Sequence, residues 1–116
     1  MTEKKFHIPA EHIRSIIPAL GGCIATDKIV VDGLPVGFMQ RDPPRNDMDS
    51  GWGFMSGYES DEYMNDAKNH GIYDVNTIAN YDPSIVPFLH APVGSAFGRK
   101  TPGAVFEPIE YIPPMD

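Results

Sequence analysis

Carboxylates are the side chains whose number and spacing first suggest a chemistry for this chain. Seven lie between residues 42 and 66, against one basic residue, Arg45: Asp42, Asp47, Asp49, Glu59, Asp61, Glu62 and Asp66. Such a surface attracts a basic protein and speeds its capture, although runs of charge are more often solvated loops and helix faces. Because tyrosines are favoured at binding surfaces, we predict that a partner contacts Tyr58, Glu59, Asp61, Glu62 and Tyr63.

Metal ligands are poorly arranged in this sequence. Asp47-Met48-Asp49-Ser50-Gly51 begins like a calcium loop, but Gly51 and Tyr58 occupy the fifth and twelfth positions, where that loop needs oxygen ligands. Cys23 has no partner at ligand spacing, and the histidines are scattered along the chain at His7, His12, His70 and His90. We therefore predict neither a metal site nor a cofactor.

Candidate nucleophiles and phosphate loops fail on spacing. Cys23 has no electropositive neighbour in the sequence, so a buried core cysteine is the better interpretation. Ser95 stands one place too early for a nucleophile elbow. Residues 94–101 resemble a phosphate-binding loop but have three residues between their glycines instead of four, and Pro102 prevents a long helix from following. We predict no catalytic residues, and an enzyme is the weakest of the functional hypotheses.

Length and composition limit the class of protein. A chain of 116 residues fits one domain, and its net charge of −7 makes nucleic acid a poor partner. The lone Cys23 cannot form an internal disulfide, which fits a reducing compartment. No signal-peptide pattern and no stretch of about 20 apolar residues is present, so we predict a cytoplasmic protein that does not bind membranes.

Strand patterns dominate the middle of the chain. Residues 23–26, 29–31 and 36–39 are rich in β-branched and other apolar side chains, and Asp32-Gly33 is a turn signal, so they predict a hairpin. Residues 52–55 predict another strand. Period-two alternation there places Trp52 and Phe54 on one face, which we expect to be buried.

Short helices and further strands complete the prediction. Apolar spacing predicts a helix over residues 9–17, and acidic residues before Lys68 predict one or two helical turns over residues 59–68. Asp82-Pro83 is a helix start. Residues 72–75 predict either a short strand or the entry to residues 76–79, and residues 93–97 predict a last short strand.

The predicted fold class is α+β, with a small, mostly antiparallel sheet and a few short helices. We divide the chain into a helical lead-in over residues 1–21, a core domain over residues 22–100, and an extended proline-rich tail over residues 101–116 that packs on the same domain.

Several short motifs occur together in an order that resembles the immunity-protein-33-like family of bacterial domains. They are Gly22-Cys23-Ile24-Ala25-Thr26, Val36-Gly37-Phe38-Met39, Asp49-Ser50-Gly51-Trp52, Ser56-Gly57, Asp61-Glu62-Tyr63, Ile72-Tyr73-Asp74-Val75-Asn76-Thr77-Ile78-Ala79 and Pro92-Val93-Gly94-Ser95-Ala96-Phe97. The resemblance covers residues 22–99 and supplies no catalytic or binding residues. It implies a cytoplasmic bacterial protein, some of whose relatives neutralise a toxin made by the same cell.

Two functional hypotheses follow. The first is a non-enzymatic protein-binding module, such as an immunity protein that neutralises a basic toxin through its acidic surface. The alternative is a small-molecule-binding or regulatory domain with a pocket near Trp52, Tyr73 and Asn76. The oligomeric state stays open.

Overall fold

The computed structural model describes residues 4–101 and 103–110, and its frame is a six-stranded sheet within those residues. The strands are β1 (Gly22–Thr26), β2 (Phe38–Arg41), β3 (Asp49–Met55), β4 (His70–Asp74), β5 (Ala96–Gly98) and β6 (Glu107–Pro108). Their order across the sheet is β4-β1-β3-β2-β5-β6. Neighbouring strands are antiparallel except for β1 and β3, which are parallel. The predicted α+β class with a mostly antiparallel sheet is confirmed.

Short helices connect these strands. The α-helices are α1 (Asp27–Val30), α2 (Asp61–Met64) and α3 (Val75–Tyr81), and 3₁₀ helices span Ala10–His12, Ala67–Asn69 and Pro83–Phe88. The helical turns predicted over residues 59–68 and the helix start at Asp82-Pro83 are confirmed. No helix in the described part of the chain is long and apolar enough to cross a membrane.

The predicted hairpin over residues 23–39 is wrong. Strand β3 lies between β1 and β2, and residues 27–30 form α1 instead of a second strand. A single helical turn buries both Ile29 and Val30, whereas a strand would send adjacent side chains to opposite faces. Gly33 then ends the turn with a φ of +78°, and its N–H donates to the carbonyl of Ile29 at 3.0 Å.

The helix predicted over residues 9–17 is also wrong, because helical geometry is limited to Ala10–His12. Beyond that turn, two asparagines of α3 bind the backbone of residues 14–17. The Asn76 carboxamide oxygen accepts from the N–H groups of Ile16 and Ile17, and its nitrogen donates to the carbonyl of Arg14. These side chains provide the hydrogen bonds that a helix would otherwise make within itself.

The core lies on one face of the sheet, beneath α3 and the 3₁₀ helix Pro83–Phe88. Trp52 and Phe54 are each 1% exposed, so their predicted burial is confirmed. The Trp52 indole Nε1 donates to the carbonyl of Leu89 at 3.2 Å. Other buried members are Cys23, Ala25, Ile29, Val30, Val36, Met39, Val75, Ile78, Ala79, Ile85 and Phe106. Burial of Cys23 agrees with its interpretation as a core cysteine.

The tail contributes one strand and one core side chain within the residues described. Strand β6 pairs with β5, and Phe106 packs against Phe88 with ring centroids 5.5 Å apart. Pro102 and residues 111–116 of the predicted tail lie outside the described residues. The division into lead-in, core domain and tail stays a prediction.

Candidate functional site

Glycines leave several positions without side chains on the sheet face opposite the core. Gly22 belongs to β1, and Gly51 and Gly53 belong to β3, so three positions at the centre of the sheet carry no side chain. Gly51 is required by the backbone itself: its φ is +88°, and a Cβ there would lie 2.0 Å from the carbonyl oxygen of Asp42. We call this surface the open face.

Strand register arranges the open face in rows. Gly22 is the register partner of both Asp49 and Asp74, so two carboxylates flank a position without a side chain. The β1–β3 pairing is irregular between Gly22 and Ile24, and beyond this irregularity Ile24 lies between Ile72 and Gly53. Adjacent strands are about 4.8 Å apart, so the backbones of Asp49 and Asp74 are separated by about 10 Å.

A cavity of about 520 Å³ occupies these rows, and we call it the groove. Its lining residues are Gly22, Cys23, Ile24, Arg45, Asn46, Met48, Asp49, Ile72, Tyr73 and Asp74. Ile72 and Met48 are 78% and 80% exposed, which is unusual for large apolar side chains that share one cavity. The groove is therefore lined by both exposed apolar side chains and charged ones.

A second cavity of about 250 Å³ continues along the open face and shares Ile24, Arg45 and Asp49 with the groove. It extends over Gly51 and Gly53 towards Met64 and His70. Two of its lining residues, Gln40 and Asp42, have a side-chain oxygen (Oε1 and Oδ1) that is buried and has no hydrogen-bond partner among the described residues. Buried acceptors of this kind favour a ligand that can donate hydrogen bonds.

The acidic segment predicted to meet a partner, residues 58–63, is next to this second cavity, whose lining includes Met64 and Thr26, the hydrogen-bond partner of Glu59. Ser60 caps α2 by accepting a hydrogen bond from the Tyr63 N–H at 3.1 Å. Asp61 and Glu62 are exposed in the first turn of α2, where carboxylates interact favourably with the helix dipole. Tyr58 is 64% exposed. These three side chains face solvent.

Glu59 has a different environment, because its carboxylate binds groups of its own chain. Oε2 accepts from the Thr26 hydroxyl at 2.6 Å and from the N–H and hydroxyl of Ser56, and Oε1 accepts from the Gly57 N–H. Burial raises the pKa of this carboxyl group, but the hydrogen bonds from Thr26 and Ser56 outweigh burial, so the pKa is lowered. Glu59 thus ties the acidic segment to the end of β1.

Tyr63 is half-buried and stacks against a cation. The Lys28 Nζ lies 4.9 Å from the centre of its ring. Burial, followed by the negative charges of Asp27 and Asp32, raises the pKa of the Tyr63 hydroxyl group. The structure therefore attaches Tyr63 to α1, and Tyr58 is the more exposed tyrosine of the segment.

Two other acidic residues of the 42–66 interval accept hydrogen bonds from nearby backbone N–H groups. Asp49 accepts from the N–H groups of Arg45 and Gly51, each at 2.9 Å, and Asp66 accepts from the Lys68 N–H. Such local capping is the ordinary use of aspartate in turns. The acidic run is therefore partly structural, and its exposed part includes Asp61 and Glu62.

The alternative hypothesis predicted one pocket near Trp52, Tyr73 and Asn76, but these three residues lie in different surroundings in the structure. Tyr73 lines the groove, and Trp52 lines the second cavity although its side chain is buried in the core. Asn76 holds residues 14–17 instead. Ile24, Ile72 and Asp74 were not predicted as site residues. The period-two spacing of Ile72 and Asp74 in the sequence indicates that they share one face of a strand. The sequence does not reveal how that strand pairs with β1.

Groups able to bind metals or act as nucleophiles are not assembled within the described residues. No cluster of three or more histidine, cysteine, aspartate or glutamate side chains is found there. Cys23 is 1% exposed, and burial, with smaller contributions from Asp74 and Asp49, raises the pKa of its thiol group. A thiolate at Cys23 is therefore strongly disfavoured.

The fold and this surface define a small α+β domain with a groove on its open face. The family model of the immunity protein Imm33 domain matches residues 23–109, which is most of the chain. The chain belongs to the Imm33 immunity protein domain family, so the resemblance to the immunity-protein-33-like family is confirmed. Neither a search of curated proteins nor a search of solved structures found a match.

Proposed function

We propose that this chain is a non-enzymatic immunity protein of the bacterial cytoplasm that neutralises a toxin by binding it through its acidic surface. Family membership supports the class of partner, since an immunity protein has a toxin as its counterpart. Binding through the acidic surface is supported by the exposure of Asp61 and Glu62. Neither side chain forms an ion pair with any described residue. Unpaired carboxylates at a helix start are free to meet a basic partner.

Binding alone can neutralise a toxin if it occludes or distorts the toxin's active site, so no catalytic group is required. A protein with a net charge of −7 accelerates its encounter with a basic partner and slows its encounter with nucleic acid. The proposed partner is accordingly a basic toxin.

The acidic segment is held rigidly enough to act as a preformed surface. Glu59 is bound to Thr26, Ser60 caps α2, and Lys28 stacks on Tyr63. These contacts leave the side chains of Tyr58, Asp61 and Glu62 exposed on a fixed backbone. A surface that is ordered before binding loses less conformational entropy when the partner arrives.

The direct test searches the genes beside that of this chain for a toxin and uses any toxin found there. Co-expression should restore growth of cells that produce the toxin, and the two purified proteins should form a complex whose association slows as salt is added. Growth that is not restored, together with no complex at low salt, would exclude this toxin as the partner.

Charge reversal identifies the contact surface. The double variant Asp61→Lys/Glu62→Lys should slow association by about tenfold at low salt, because two attractive charges become repulsive. The matched control Glu11→Lys/Glu107→Lys reverses two exposed carboxylates outside the acidic segment and should change the rate much less. Equal effects of the two pairs would show that net charge, and not residues 61 and 62, drives the encounter.

One observation favours the second candidate, a small-molecule-binding domain. The second cavity is lined by Gln40 and Asp42, whose buried side-chain oxygens have no described partner. A ligand that donates hydrogen bonds would satisfy them. Screening a broad metabolite panel by melting temperature tests this candidate, and the absence of any shift would count against it.

A further inference from the structure

We propose that the groove between Asp49 and Asp74 captures a protein partner by taking a lysine or arginine side chain together with an adjoining apolar side chain. This inference rests on the proposed function and adds a second contact region to it. The acidic segment would contact the partner first, during the encounter. The groove would then bind one basic and one apolar side chain of the partner.

The basic side chain is specified by the first row of the open face. Asp49 and Asp74 flank Gly22 in register, and the space above Gly22, which carries no side chain, is bordered by the Met48 carbonyl oxygen and the Ile72 side chain, which a Cβ there would meet at 3.4 and 3.7 Å. A cation placed above Gly22 would interact with both. Burial is the main cause of the raised pKa of the Cys23 thiol group, and the charges of Asp74 and Asp49 raise it further, so both carboxylates act on the same part of β1.

Asp74 is available for this role. It occupies the N-cap position of α3, yet its side chain makes no capping hydrogen bond, and it is exposed. Each carboxylate oxygen of Asp49 already accepts a hydrogen bond from one backbone N–H group. A carboxylate oxygen can accept more than one hydrogen bond, so Asp49 can still bind a cation. Arg45 also lines the groove and supplies one positive charge against these two negative ones.

The apolar side chain is specified by the second row. Ile24 and Ile72 are register partners, and Met48, which directly precedes β3, also lines the groove. Exposed Ile72 and Met48 are costly in water unless another apolar group covers them, and methionine adapts its shape to different partners. A volume of about 520 Å³ is within the range of pockets that hold small-molecule ligands, so it has room for two adjoining side chains.

The charge on this surface selects the occupant. A phosphate backbone is repelled by Asp49, Asp74 and the net charge of −7, and a purely apolar segment would leave the two carboxylates unpaired. A protein segment in which a basic residue adjoins an apolar one satisfies both rows at once.

A titration followed by amide NMR signals tests the groove without any toxin. The probe is acetyl-Leu-Lys-Leu-amide, and acetyl-Leu-Glu-Leu-amide is its matched control. The lysine peptide should shift the signals of Gly22, Ile24 and Ile72, and the glutamate peptide should not. Equal shifts with both peptides, or shifts confined to other residues, would overturn the inference.

Two variants with matched controls sharpen the titration. Asp74→Asn should weaken the lysine peptide about two- to fivefold, as expected for one exposed ion pair, while Glu11→Gln should not. Ile72→Thr should also weaken it, while Val105→Thr, which changes an equally exposed β-branched residue outside the groove, should not. No difference between each variant and its control would contradict the assignment of the groove.

The same variants separate this inference from the proposed function. If the toxin binds the wild-type chain and binds Asp74→Asn and Ile72→Thr equally well, the function holds and the groove is excluded as a contact. If the toxin does not bind the wild-type chain, the proposed function fails, and the peptide titration still decides whether the groove accepts a basic and apolar pair.

Discussion

Arg99 and Asp82 form a buried ion pair that joins four separate parts of the chain. The guanidinium Nη2 donates to Oδ2 of Asp82, and Nε donates to the carbonyl of Val36 at 2.9 Å. The Val36 N–H in turn donates to Oδ2 of Asp82 at 3.0 Å. The Phe106 ring lies 4.2 Å from the guanidinium carbon. This pair therefore links the end of β5, the start of the 3₁₀ helix Pro83–Phe88, the approach to β2 and the tail.

Removing one member of this pair should destabilise the protein strongly. Arg99→Met leaves the Asp82 carboxylate buried without its cation, and we expect the free energy of unfolding to fall by about 3–5 kcal/mol. Lys4→Met is the control, because it breaks the more exposed Lys4–Asp27 pair and should cost at most about 1 kcal/mol. Urea unfolding measures both variants, and a similar loss in the two would show that Arg99 is not a structural hub.

Glu59 should make stability depend on pH. Its pKa is lower in the folded chain than in the unfolded chain, so the folded state binds fewer protons. The stabilisation is fully present above the unfolded pKa and is lost as the pH falls through the folded pKa. Glu59→Gln should therefore destabilise the protein by about 1–2 kcal/mol near neutral pH and by progressively less in acid.

Urea unfolding at about pH 7 and at a pH below the ordinary glutamate range measures this change. Glu62→Gln is the control, since Glu62 is exposed and makes no described hydrogen bond that fixes its carboxylate. A difference between Glu59→Gln and wild type that stays constant with pH would contradict the assigned hydrogen bonds.

Local patterns predicted much of this fold, and non-local pairing decided the rest. Burial of Trp52 and Phe54 follows from period-two alternation, and the helix start at Asp82-Pro83 follows from backbone chemistry. No local sequence pattern predicts the parallel pairing of β1 with β3, because that pairing depends on which distant strand lies beside β1 in the sheet. The predicted hairpin failed for that reason.

The candidate site shows the same division. Exposure of Tyr58, Asp61 and Glu62 agrees with their polar, turn-rich sequence, whereas the hydrogen bonds of Glu59 to Thr26 join residues 33 apart. The groove depends on the register that places Asp49 and Asp74 on either side of Gly22. A one-residue change in register would turn these side chains to the other face, so the sequence alone could not locate the groove.

Asn76 and Asn80 should control local opening of residues 14–17. Asn76→Ala removes the acceptor of the Ile16 and Ile17 N–H groups, so their hydrogen exchange should accelerate by about tenfold. Asn80→Ala should accelerate exchange at Arg14, whose N–H donates to the Asn80 side chain at 2.9 Å. The Gly22 amide is the internal control, since it donates to the carbonyl of Met48. Uniform acceleration at all these amides would indicate global destabilisation instead.

Gly51 and Gly57 should respond very differently to alanine. Both have positive φ values, +88° and +95°, but a Cβ at Gly51 would meet the Asp42 carbonyl oxygen at 2.0 Å and one at Gly57 would meet nothing within 4 Å. Gly57→Ala should therefore cost about 1–2 kcal/mol from backbone strain alone. Gly51→Ala should cost at least about 3 kcal/mol, because the Asp42 backbone must also move. Urea unfolding compares the two, and equal costs would contradict the close approach of residues 42 and 51.

Cys23 should be chemically inert in the folded protein. Burial, more than the charges of Asp74 and Asp49, raises the pKa of its thiol group, so the reactive thiolate is scarce and also inaccessible. At about pH 8, a thiol reagent should modify the native protein at least about a thousandfold more slowly than the urea-unfolded protein, at a rate that follows unfolding. Asp74→Asn removes one of the two charges but leaves the thiol buried, so it should not restore reactivity. Rapid modification of the native wild-type chain would contradict the burial of Cys23 and would reopen the question of a reactive cysteine in this domain.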